Sequence, residues 1–256
     1  MPATSFEALD AAFTAATYTV VMSGAGLSTE CGVPDFRSPG SPWLTHPPIP
    51  FAEFIASPAQ RHEAWRRKFA LDDAYAGATP GRGHRALAAM VADGRISGII
   101  TQNIDGLHQA SGMRAEALAE LHGNGTYAAC LTCQKPYELA ALRRAFEAEG
   151  EVPACACGGI IKSATISFGQ AMPKAALTRA QAWARRCDLF IVIGSSLLVQ
   201  PAASLPLVAK QAGARLAIVN RQATPLDDVA DMVLHTEVGP LLHALHVNNE
   251  NVPHKF

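Results

Sequence analysis

The sequence predicts an α/β protein, in which a doubly wound parallel sheet of the Rossmann-like type carries a smaller inserted domain. Two observations predict the sheet: β-rich apolar runs alternate with helical patterns, and they do so on both sides of the middle of the chain. Alternation of this kind builds a parallel sheet with helices on both faces. The third observation predicts the insertion, because residues 130–159 are turn-rich, interrupt the alternation and contain four of the six cysteines.

The N-terminal elements lead to a glycine turn. Apolar residues at helical spacing predict a helix over 5–16, and the β-rich run 18–22 predicts a buried strand. The strand stops at Gly24-Ala25-Gly26, Ser28 follows, and we expect a helix after this turn. Glycines let a backbone approach a phosphate closely, and the N-terminus of a helix offers unpaired N–H groups.

This glycine turn is weak evidence on its own. The GxGxxG fingerprint of dinucleotide-binding proteins is incomplete, because Thr29 occupies the position of the last glycine. The turn alone therefore leaves a nucleotide site and an ordinary strand-to-helix turn equally open.

A proline-rich stretch follows. Residues 38–50 read SPGSPWLTHPPIP, and because each proline removes a backbone donor we expect a long loop there, of the kind that often forms a lid. The pattern over 52–75 predicts helix with a division near Pro58. A further helix over 84–93 leads into a strand over 96–101.

The remaining elements restore the α/β alternation after the insertion. The patterns predict a helix over 137–149, an extended segment over 160–168, a helix over 175–186, a strand over 188–193, a helix over 201–212 and strands over 215–220 and 232–234. The last ten residues are polar, and we expect them to fray.

Composition and charge exclude several classes of protein. The chain is 49% hydrophobic and 17% charged, with a formal net charge of -1. This charge gives no electrostatic reason to bind nucleic acid or an anionic membrane. Apolar runs such as 189–193 are too short to span a bilayer, and the N-terminus lacks a signal-peptide pattern. We therefore expect a cytoplasmic protein.

Four cysteines form two close pairs, Cys130-x2-Cys133 and Cys155-x-Cys157. In a chain without a secretion signal, such pairs indicate metal binding before disulfides. Four thiolates around zinc leave no open coordination position, so the predicted site is structural and the inserted domain is both helical and zinc-binding. The alternative is four reduced, buried thiols. Because only one residue separates the second pair, whether Cys155 is a ligand stays open.

The predicted domain organisation follows from these segments. We expect 1–256 to form a single unit, whose Rossmann-like part comprises 1–38, 83–125 and 164–256. The small domain comes from two insertions, 39–82 with the lid and helices and 126–163 with the cysteines.

Polar residues follow the strand over 96–101, at the edge of the sheet where ligands bind. Gln102, Asn103 and Asp105 suit hydrogen bonding to a carboxamide or to sugar hydroxyls, although a helix cap and turn is the alternative reading. His122 is one of nine histidines, and an arbitrary histidine is more often a surface or core residue. Imidazole titrates near pH 6.5, so His122 has the chemistry to take a proton from a hydroxyl near neutral pH.

Five motifs, in order, resemble those of the sirtuin family. GAGLSTECGVPDFR over 24–37 is close to the sirtuin pattern GAGxSxxSGIPDFR, with Cys31 for serine and Val33 for isoleucine. The other motifs are TQNIDGLH over 101–108, HGN over 122–124, ISFGQ over 166–170 and GSSLLVQP over 194–201. In the fourth, Gln170 replaces the acid of VxFGE, and Ser163-Ala164 replace the usual Pro-Asp before it, so we expect the backbone pairing to be kept and the preference for peptide sequence to differ.

The resemblance, which spans about 17–239, implies an NAD site with a general base. Asn103 and Asp105 would form the nicotinamide pocket, and His122 would act on the ribose. The cofactor-binding residues that the resemblance implies are Gly24, Ala25, Gly26, Ser28, Asp35, Phe36, Arg37, Gln102, Asn103, Ile104, Asp105, Gly194, Ser195, Ser196, Asn220 and Val238. Phe168, Gly169 and Val199 would bind a peptide that pairs with the extended segment over 160–168, although a plain core strand is the alternative there.

The chain is thus identified as a member of the sirtuins, which implies a single catalytic unit acting as an NAD-dependent protein lysine deacetylase or deacylase. The implied reaction moves the acyl group of an acyl-lysine protein or peptide to ADP-ribose, releases nicotinamide and O-acyl-ADP-ribose, and consumes NAD as a co-substrate. The alternatives are a mono-ADP-ribosyltransferase or NAD glycohydrolase using the same pocket, and a non-catalytic NAD-binding module. The incomplete GxGxxG argues against a dehydrogenase.

Overall fold

Nine strands and ten α-helices occur in the residues that the structure, a computed structural model, describes: 2–35 and 41–250. The strands are β1 (Thr19–Ser23), β2 (Gly98–Thr101), β3 (Leu118–Glu120), β4 (Gly123–Cys130), β5 (Pro136–Glu138), β6 (Ile161–Thr165), β7 (Leu189–Ile193), β8 (Arg215–Val219) and β9 (Met232–Leu234). The helices are α1 (Phe6–Ala15), α2 (Pro42–Thr45), α3 (Phe51–Ala56), α4 (Pro58–Ala74), α5 (Arg82–Ala92), α6 (Leu107–Ala110), α7 (Leu139–Glu149), α8 (Lys174–Arg186), α9 (Leu205–Gln211) and α10 (Val238–Asn249). Within these residues no helix is both long and apolar enough to cross a membrane.

Six strands form the central sheet in the order β3-β2-β1-β7-β8-β9. All five pairings are parallel. The chain therefore winds outwards from β1 in one direction and from β7 in the other, which is the doubly wound order of Rossmann-like proteins. The predicted fold class is confirmed. Ligands of such sheets bind at the carboxyl ends of the strands, where the order reverses between β1 and β7.

Both faces of this sheet are covered, so the middle residues of its central strands are apolar. Val21 and Ile191 pack with residues of α1, α5 and α10 on one face. Val20 and Phe190, their chain neighbours, pack with α8 and α9 on the other face. Neighbouring side chains on a strand point to opposite faces, which explains the apolar runs over 20–22 in β1 and over 189–193 in β7.

A second, antiparallel sheet has the order β5-β4-β6. Trp65 and Phe69 of α4 pack with Leu142 of α7 and with Ile161 to form a separate small core.

Two predicted helices, divided near Pro58, correspond to α3 and α4. Strand β4 begins at Gly123 and so crosses the predicted domain boundary at 125, and the division into domains stays a prediction.

The prediction of a helix after the first glycine turn is wrong. Two short 3₁₀ turns, Ala25–Leu27 and Thr29–Cys31, follow β1 instead. The second ends at Gly32, whose φ of 82° lies in the left-handed region. A residue in that conformation stops a right-handed helix. Of the two features that predict a phosphate site at this turn, the glycines are present and the N-terminus of an α-helix is not.

Several other boundaries differ from the expectations. Residues 136–138, partly predicted as helix, pair with β4 as strand β5. Helix α2 interrupts the predicted loop over 38–50, of which 38–40 lie outside the described residues. The predicted fraying of the last ten residues is wrong for 247–249, which belong to α10. There Asn249 is buried and donates a 2.7 Å hydrogen bond to Asp10.

Candidate active site

A cavity of about 860 Å³ lies between the two sheets, at the carboxyl ends of the parallel strands. Its walls include the loops that follow β1, β2, β3, β7, β8 and β9, together with β6, α3 and α4. The predicted site residues on its wall are Gly24, Ala25, Gly26, Asp35, Gln102, Asn103, Ile104, Asp105, His122, Phe168, Gly169, Gly194, Ser195, Ser196, Val199, Asn220 and Val238. Phe36 and Arg37 lie outside the described residues. The fold thus brings residues from all five motifs to one cavity.

The two glycine turns pack against each other at this edge of the sheet. Gly26 donates its N–H to the carbonyl of Gly194 at 2.8 Å. A methyl group on Gly24 would lie 2.6 Å from the same oxygen, and one on Gly26 would lie 2.7 Å from the Cα of Gly194. Any side chain at these positions would push the turns apart, so the glycines are required by the close approach of two backbones.

Ser28 does not lie on the cavity wall, although it was expected to contact the cofactor. It is fully buried, and its hydroxyl donates to the carboxylate of Asp105 at 2.6 Å. The amide of Asn103 donates to the Ser28 hydroxyl at 3.2 Å and to the carbonyl of Gly24 at 3.1 Å. Ser28 therefore holds Asn103 and Asp105 by hydrogen bonds from a buried position that is not on the cavity wall.

His122 has one ring nitrogen committed to the protein. Its Nδ1 lies 3.1 Å from the carbonyl oxygen of Gln102, and since a carbonyl only accepts, Nδ1 carries the proton. Nε2 is then the basic nitrogen of the neutral ring. Burial lowers the pKa of His122, and the hydrogen bond to Gln102 opposes this only in part. The imidazole is therefore neutral at pH 7 and able to accept a proton.

Gln102 connects the loop after β2 to the second glycine turn. Its side-chain amide donates to the hydroxyl of Ser195 at 2.8 Å. The same hydroxyl accepts the N–H of Leu197 at 3.3 Å. These bonds cross the point where the strand order reverses, and they fix the two loops relative to each other.

Two further histidines lie behind the cavity in buried positions. Nε2 of His108 is 2.9 Å from the hydroxyl of Ser23, which donates to Thr101 at 2.8 Å. The ring of His84 lies edge-on to that of His108, with centroids 5.2 Å apart. Burial lowers the pKa of His108 to about 3, so it stays neutral and supports the loop rather than carrying protons. Neither histidine is on the cavity wall.

The end of the cavity near Asn220 contains an ion pair that the sequence patterns did not indicate. Arg221 and Glu237 form an ion pair there, with Nε and Oε1 3.0 Å apart. Asn220 donates from its side chain to the carbonyl of Gln222 at 2.8 Å. Nothing in the local sequence relates Arg221 to Glu237, because the two lie on different loops and meet only through the fold.

The segment after β6 forms an edge of the cavity. Ile166 donates its N–H to the carbonyl of His122 at 2.8 Å, and the carbonyl of Phe168 accepts the N–H of Phe51 at 2.9 Å. The side chain of Phe168 is 56% exposed, which is unusual for so large an apolar group. The segment is therefore fixed at both ends while presenting an aromatic surface.

The four clustered cysteines meet at one point near the end of β4, and none of them lies on the cavity wall. All four Sγ atoms lie within 4.8 Å of one another, with Cys130 and Cys157 3.5 Å apart and Cys133 and Cys155 3.6 Å apart. Four thiolates around one zinc ion at about 2.3 Å require separations of this size. The tight second pair thus brings Cys155 into the cluster, which is consistent with structural zinc.

Polar groups around Cys130 and Cys155 favour the thiolate form of these two residues. The N–H groups of Thr132 and Cys133 point at Sγ of Cys130 at 3.4 and 3.5 Å. The hydroxyl of Tyr137 donates to Sγ of Cys155 at 3.0 Å. The N–H of Cys157 and then this hydroxyl lower the pKa of Cys155 to about 6. Donors of this kind orient and stabilise metal-binding sulfur atoms.

Comparison with known proteins assigns the family. Residues 24–201 match the Sir2 family. The NAD-dependent protein deacetylase 1 of Bradyrhizobium diazoefficiens is 53% identical over 87% of this chain and 88% of that protein. The NAD-dependent protein deacetylase of Rhodopseudomonas palustris is 52% identical over the same shares.

Solved structures agree in fold over nearly the whole chain. Sir2Tm bound to a propionylated peptide is similar with a TM-score of 0.85 and 31% identity, covering 97% of this chain and 100% of that one. A structure described as Sir2-p53 peptide-NAD+ has a TM-score of 0.84 and 31% identity, with coverage of 96% and 99%. The cavity, the five motifs and the similarity to these relatives together show that the chain belongs to the Sir2 family, the sirtuins.

Proposed function

We propose that this chain is an NAD-dependent protein lysine deacetylase, of the class that transfers an acyl group from lysine to ADP-ribose. The observation that carries the proposal is that three features meet in one cavity. They are a neutral His122 with Nε2 as its basic nitrogen, the pair Asn103 and Asp105 that Ser28 holds by hydrogen bonds, and the exposed edge at Phe168. The deacetylase names of the relatives support the same conclusion.

The first half of the proposed reaction uses the loops after the parallel strands. Asn103 and Asp105 hold the nicotinamide, and Gln102 and Ser195 hold its ribose and the phosphates beside the glycine turns. Asn220 and Val238 serve the adenosine end. The carbonyl oxygen of the acyl-lysine attacks the anomeric carbon of NAD. The bond to nicotinamide breaks, and its electron pair leaves with the ring nitrogen.

The second half requires a base. Nε2 of His122 accepts the proton of a ribose hydroxyl, whose oxygen then attacks the carbon of the bound imidate. Water completes the reaction by releasing the free lysine, and the acyl group remains on ADP-ribose. The lowered pKa of His122 supports this role, because the neutral ring predominates at physiological pH.

Substrate binding is proposed at the segment that follows β6. The peptide pairs with the backbone there, between Phe168, Gly169 and Val199, as a strand added to an edge. The fixed ends of the segment support this, since a rigid edge costs less entropy when a strand is added to it. An acyl-lysine protein or peptide is the proposed partner.

The small domain is proposed to hold the lid and the zinc. Zinc bound by four thiolates stabilises the domain and takes no part in the chemistry. We propose the same two-part division of the chain as the sequence predicts, although β4 runs across one of its boundaries. Reduced zinc-binding thiols suit a reducing compartment, and we propose the cytoplasm.

The test separates acyl transfer from simple NAD cleavage. We expect His122→Ala to lower deacetylation by about 10²- to 10⁴-fold, the usual value of general base catalysis, while nicotinamide exchange persists. His243→Ala, which changes an exposed histidine on α10, serves as the control. Undiminished deacetylation in His122→Ala would overturn the assigned role of this residue. NAD cleavage by the wild-type protein without deacetylation would favour the ADP-ribosyltransferase or glycohydrolase reading.

A further inference from the structure

Lys162 is a buried cation on the wall of the cavity. It lies on β6, is only 4% exposed, and forms no ion pair with a carboxylate in 2–35 or 41–250. Burial lowers the pKa of its ammonium to about 8, so the group is still mostly charged at pH 7. A buried charge is costly unless its donors are used, and the contacts of this ammonium therefore indicate its role.

The ammonium is bonded to backbone carbonyls of its own strand. Nζ donates to Thr165 at 2.6 Å and to Ser163 at 3.4 Å, and it faces the ring of Phe54 at 5.8 Å from the centroid. Strands β4 and β6 change register over this stretch, between the pairs at Gly123 and Ala128. The side chain thus bonds to carbonyls at the point where the regular ladder between the strands is interrupted.

One peptide group joins this ammonium to the proposed base. The carbonyl of Thr165 and the N–H of Ile166 are the two ends of a single planar unit. The carbonyl accepts from Lys162, and the N–H donates to the carbonyl of His122 at 2.8 Å. A charged donor polarises the peptide group and strengthens the N–H at its other end. Lys162 and His122 are therefore bonded to opposite ends of the same rigid plane.

We propose that Lys162 is a positioning residue for His122 and for the peptide-binding segment 166–168. It acts through the 165–166 peptide group and not on the reacting atoms. The inference rests on the proposed role of His122 as general base. The backbone of His122 is set by this peptide group and its ring by the carbonyl of Gln102, so the two contacts together fix where Nε2 lies.

This role predicts a selective kinetic defect. We expect Lys162→Met to lower kcat/KM for an acetyl-lysine peptide by about 10- to 100-fold, the usual effect of losing a hydrogen bond to a charged group. The KM for NAD should change by less than about 2-fold, because the loops after β1, β2 and β7 do not depend on this bond. Lys162→Arg should recover most of the activity, since a guanidinium also donates to carbonyls. Lys174→Met removes an exposed lysine at the start of α8 and is the matched control.

A second measurement does not need turnover. Burial lowers the pKa of His122, and a ring that is no longer held in place should be less completely buried. NMR titration should therefore show the pKa of His122 rising towards the ordinary value of histidine in Lys162→Met, with the signals of His243 unchanged. An unchanged His122 titration together with peptide kinetics within about 2-fold of wild type would overturn the inference. Equal losses in Lys162→Met and Lys162→Arg, with a matching rise in the KM for NAD, would also overturn it. A wild-type protein without deacetylase activity would overturn the proposed function instead, and the His122 titration would still decide the role of Lys162.

Discussion

Ser28 donates a hydrogen bond of 2.6 Å to the carboxylate of Asp105. The two residues come from different loops, Ser28 from the turns after β1 and Asp105 from the loop after β2. Because Ser28 is fully buried and also accepts from the amide of Asn103, one hydroxyl orients both residues of the proposed nicotinamide pocket.

We expect Ser28→Ala to impair the NAD half of the reaction. The substitution removes one hydrogen bond from the carboxylate of Asp105 and one from the amide of Asn103, and kcat/KM for NAD should fall by about 10- to 100-fold. Nicotinamide release at varied NAD concentration measures this. Ser5→Ala is the control, because it removes the hydroxyl that caps α1 far from the cavity. Wild-type kinetics in Ser28→Ala would show that Asp105 does not need this contact.

The buried place of Ser28 could not be predicted from the sequence. The glycine turns were recognisable from their residues, and the sheet followed from the alternation of patterns. That Gly26 packs on Gly194 depends on contact between distant segments, and local patterns do not encode such contacts. The same limit applies to the ion pair between Arg221 and Glu237 and to the hydrogen bonds of Lys162.

Strand β4 and helix α10, which the sequence patterns did not predict, were missed because of the residues they contain. Strand β4 reads GNGTYAAC, with glycines and polar residues in place of alternation, and its bulge breaks the period of two. Helix α10 ends in polar residues, and the buried Asn249 at its end forms hydrogen bonds with Asp10 and Thr14, which are distant in the sequence. The cysteine cluster was predictable because its spacing is itself the signal, even with a single residue between Cys155 and Cys157.

The buried histidines predict a loss of stability in mild acid. In the unfolded chain these rings titrate near pH 6.5, whereas burial lowers the pKa of His84, His108 and His122 in the folded protein. Below pH 6.5 the unfolded state binds protons that the folded state does not, so stability that is present above pH 6.5 is lost as the pH falls. With a folded pKa of about 3, His108 alone should lower the free energy of unfolding by about 2 kcal/mol at pH 5, compared with its value above pH 6.5.

Urea unfolding at pH 7.5 and pH 5 measures this dependence. His108→Asn removes one titrating ring and should unfold with a smaller difference between the two conditions. His243→Asn, on the exposed face of α10, should leave the difference unchanged. Equal unfolding free energies for the wild-type protein at both pH values would contradict the account.

The cysteine cluster predicts one zinc ion per chain. We expect Cys155→Ser to lose the metal and to lower the Tm of the small domain, because the other three thiolates then lack a fourth partner. Metal analysis of the purified protein and thermal unfolding measure both effects. Cys31→Ser, which changes a cysteine outside the cluster, should retain the zinc. A wild-type protein purified without zinc would contradict the assignment.

The acyl preference is expected to favour acetyl over succinyl groups. Trp65 and Lys68 of α4 line the cavity, and Lys68 forms an ion pair with Asp72 one turn further on. We expect the acyl group to enter the cavity beside α4, where a succinyl carboxylate would meet an ammonium that is already paired. Asp72→Asn should raise kcat/KM for a succinyl peptide relative to an acetyl peptide. Asp73→Asn, which breaks the ion pair with Arg143, is the control. Equal efficiency of the wild-type protein on both peptides would refute this preference.

Mass spectrometry of an acetyl-lysine peptide, incubated with the protein in the presence and absence of NAD, tests the central claim most directly. The account predicts loss of the acetyl group only with NAD, together with nicotinamide and O-acetyl-ADP-ribose in equal amounts. An unchanged peptide after NAD has been consumed, or no consumption of NAD at all, would contradict it.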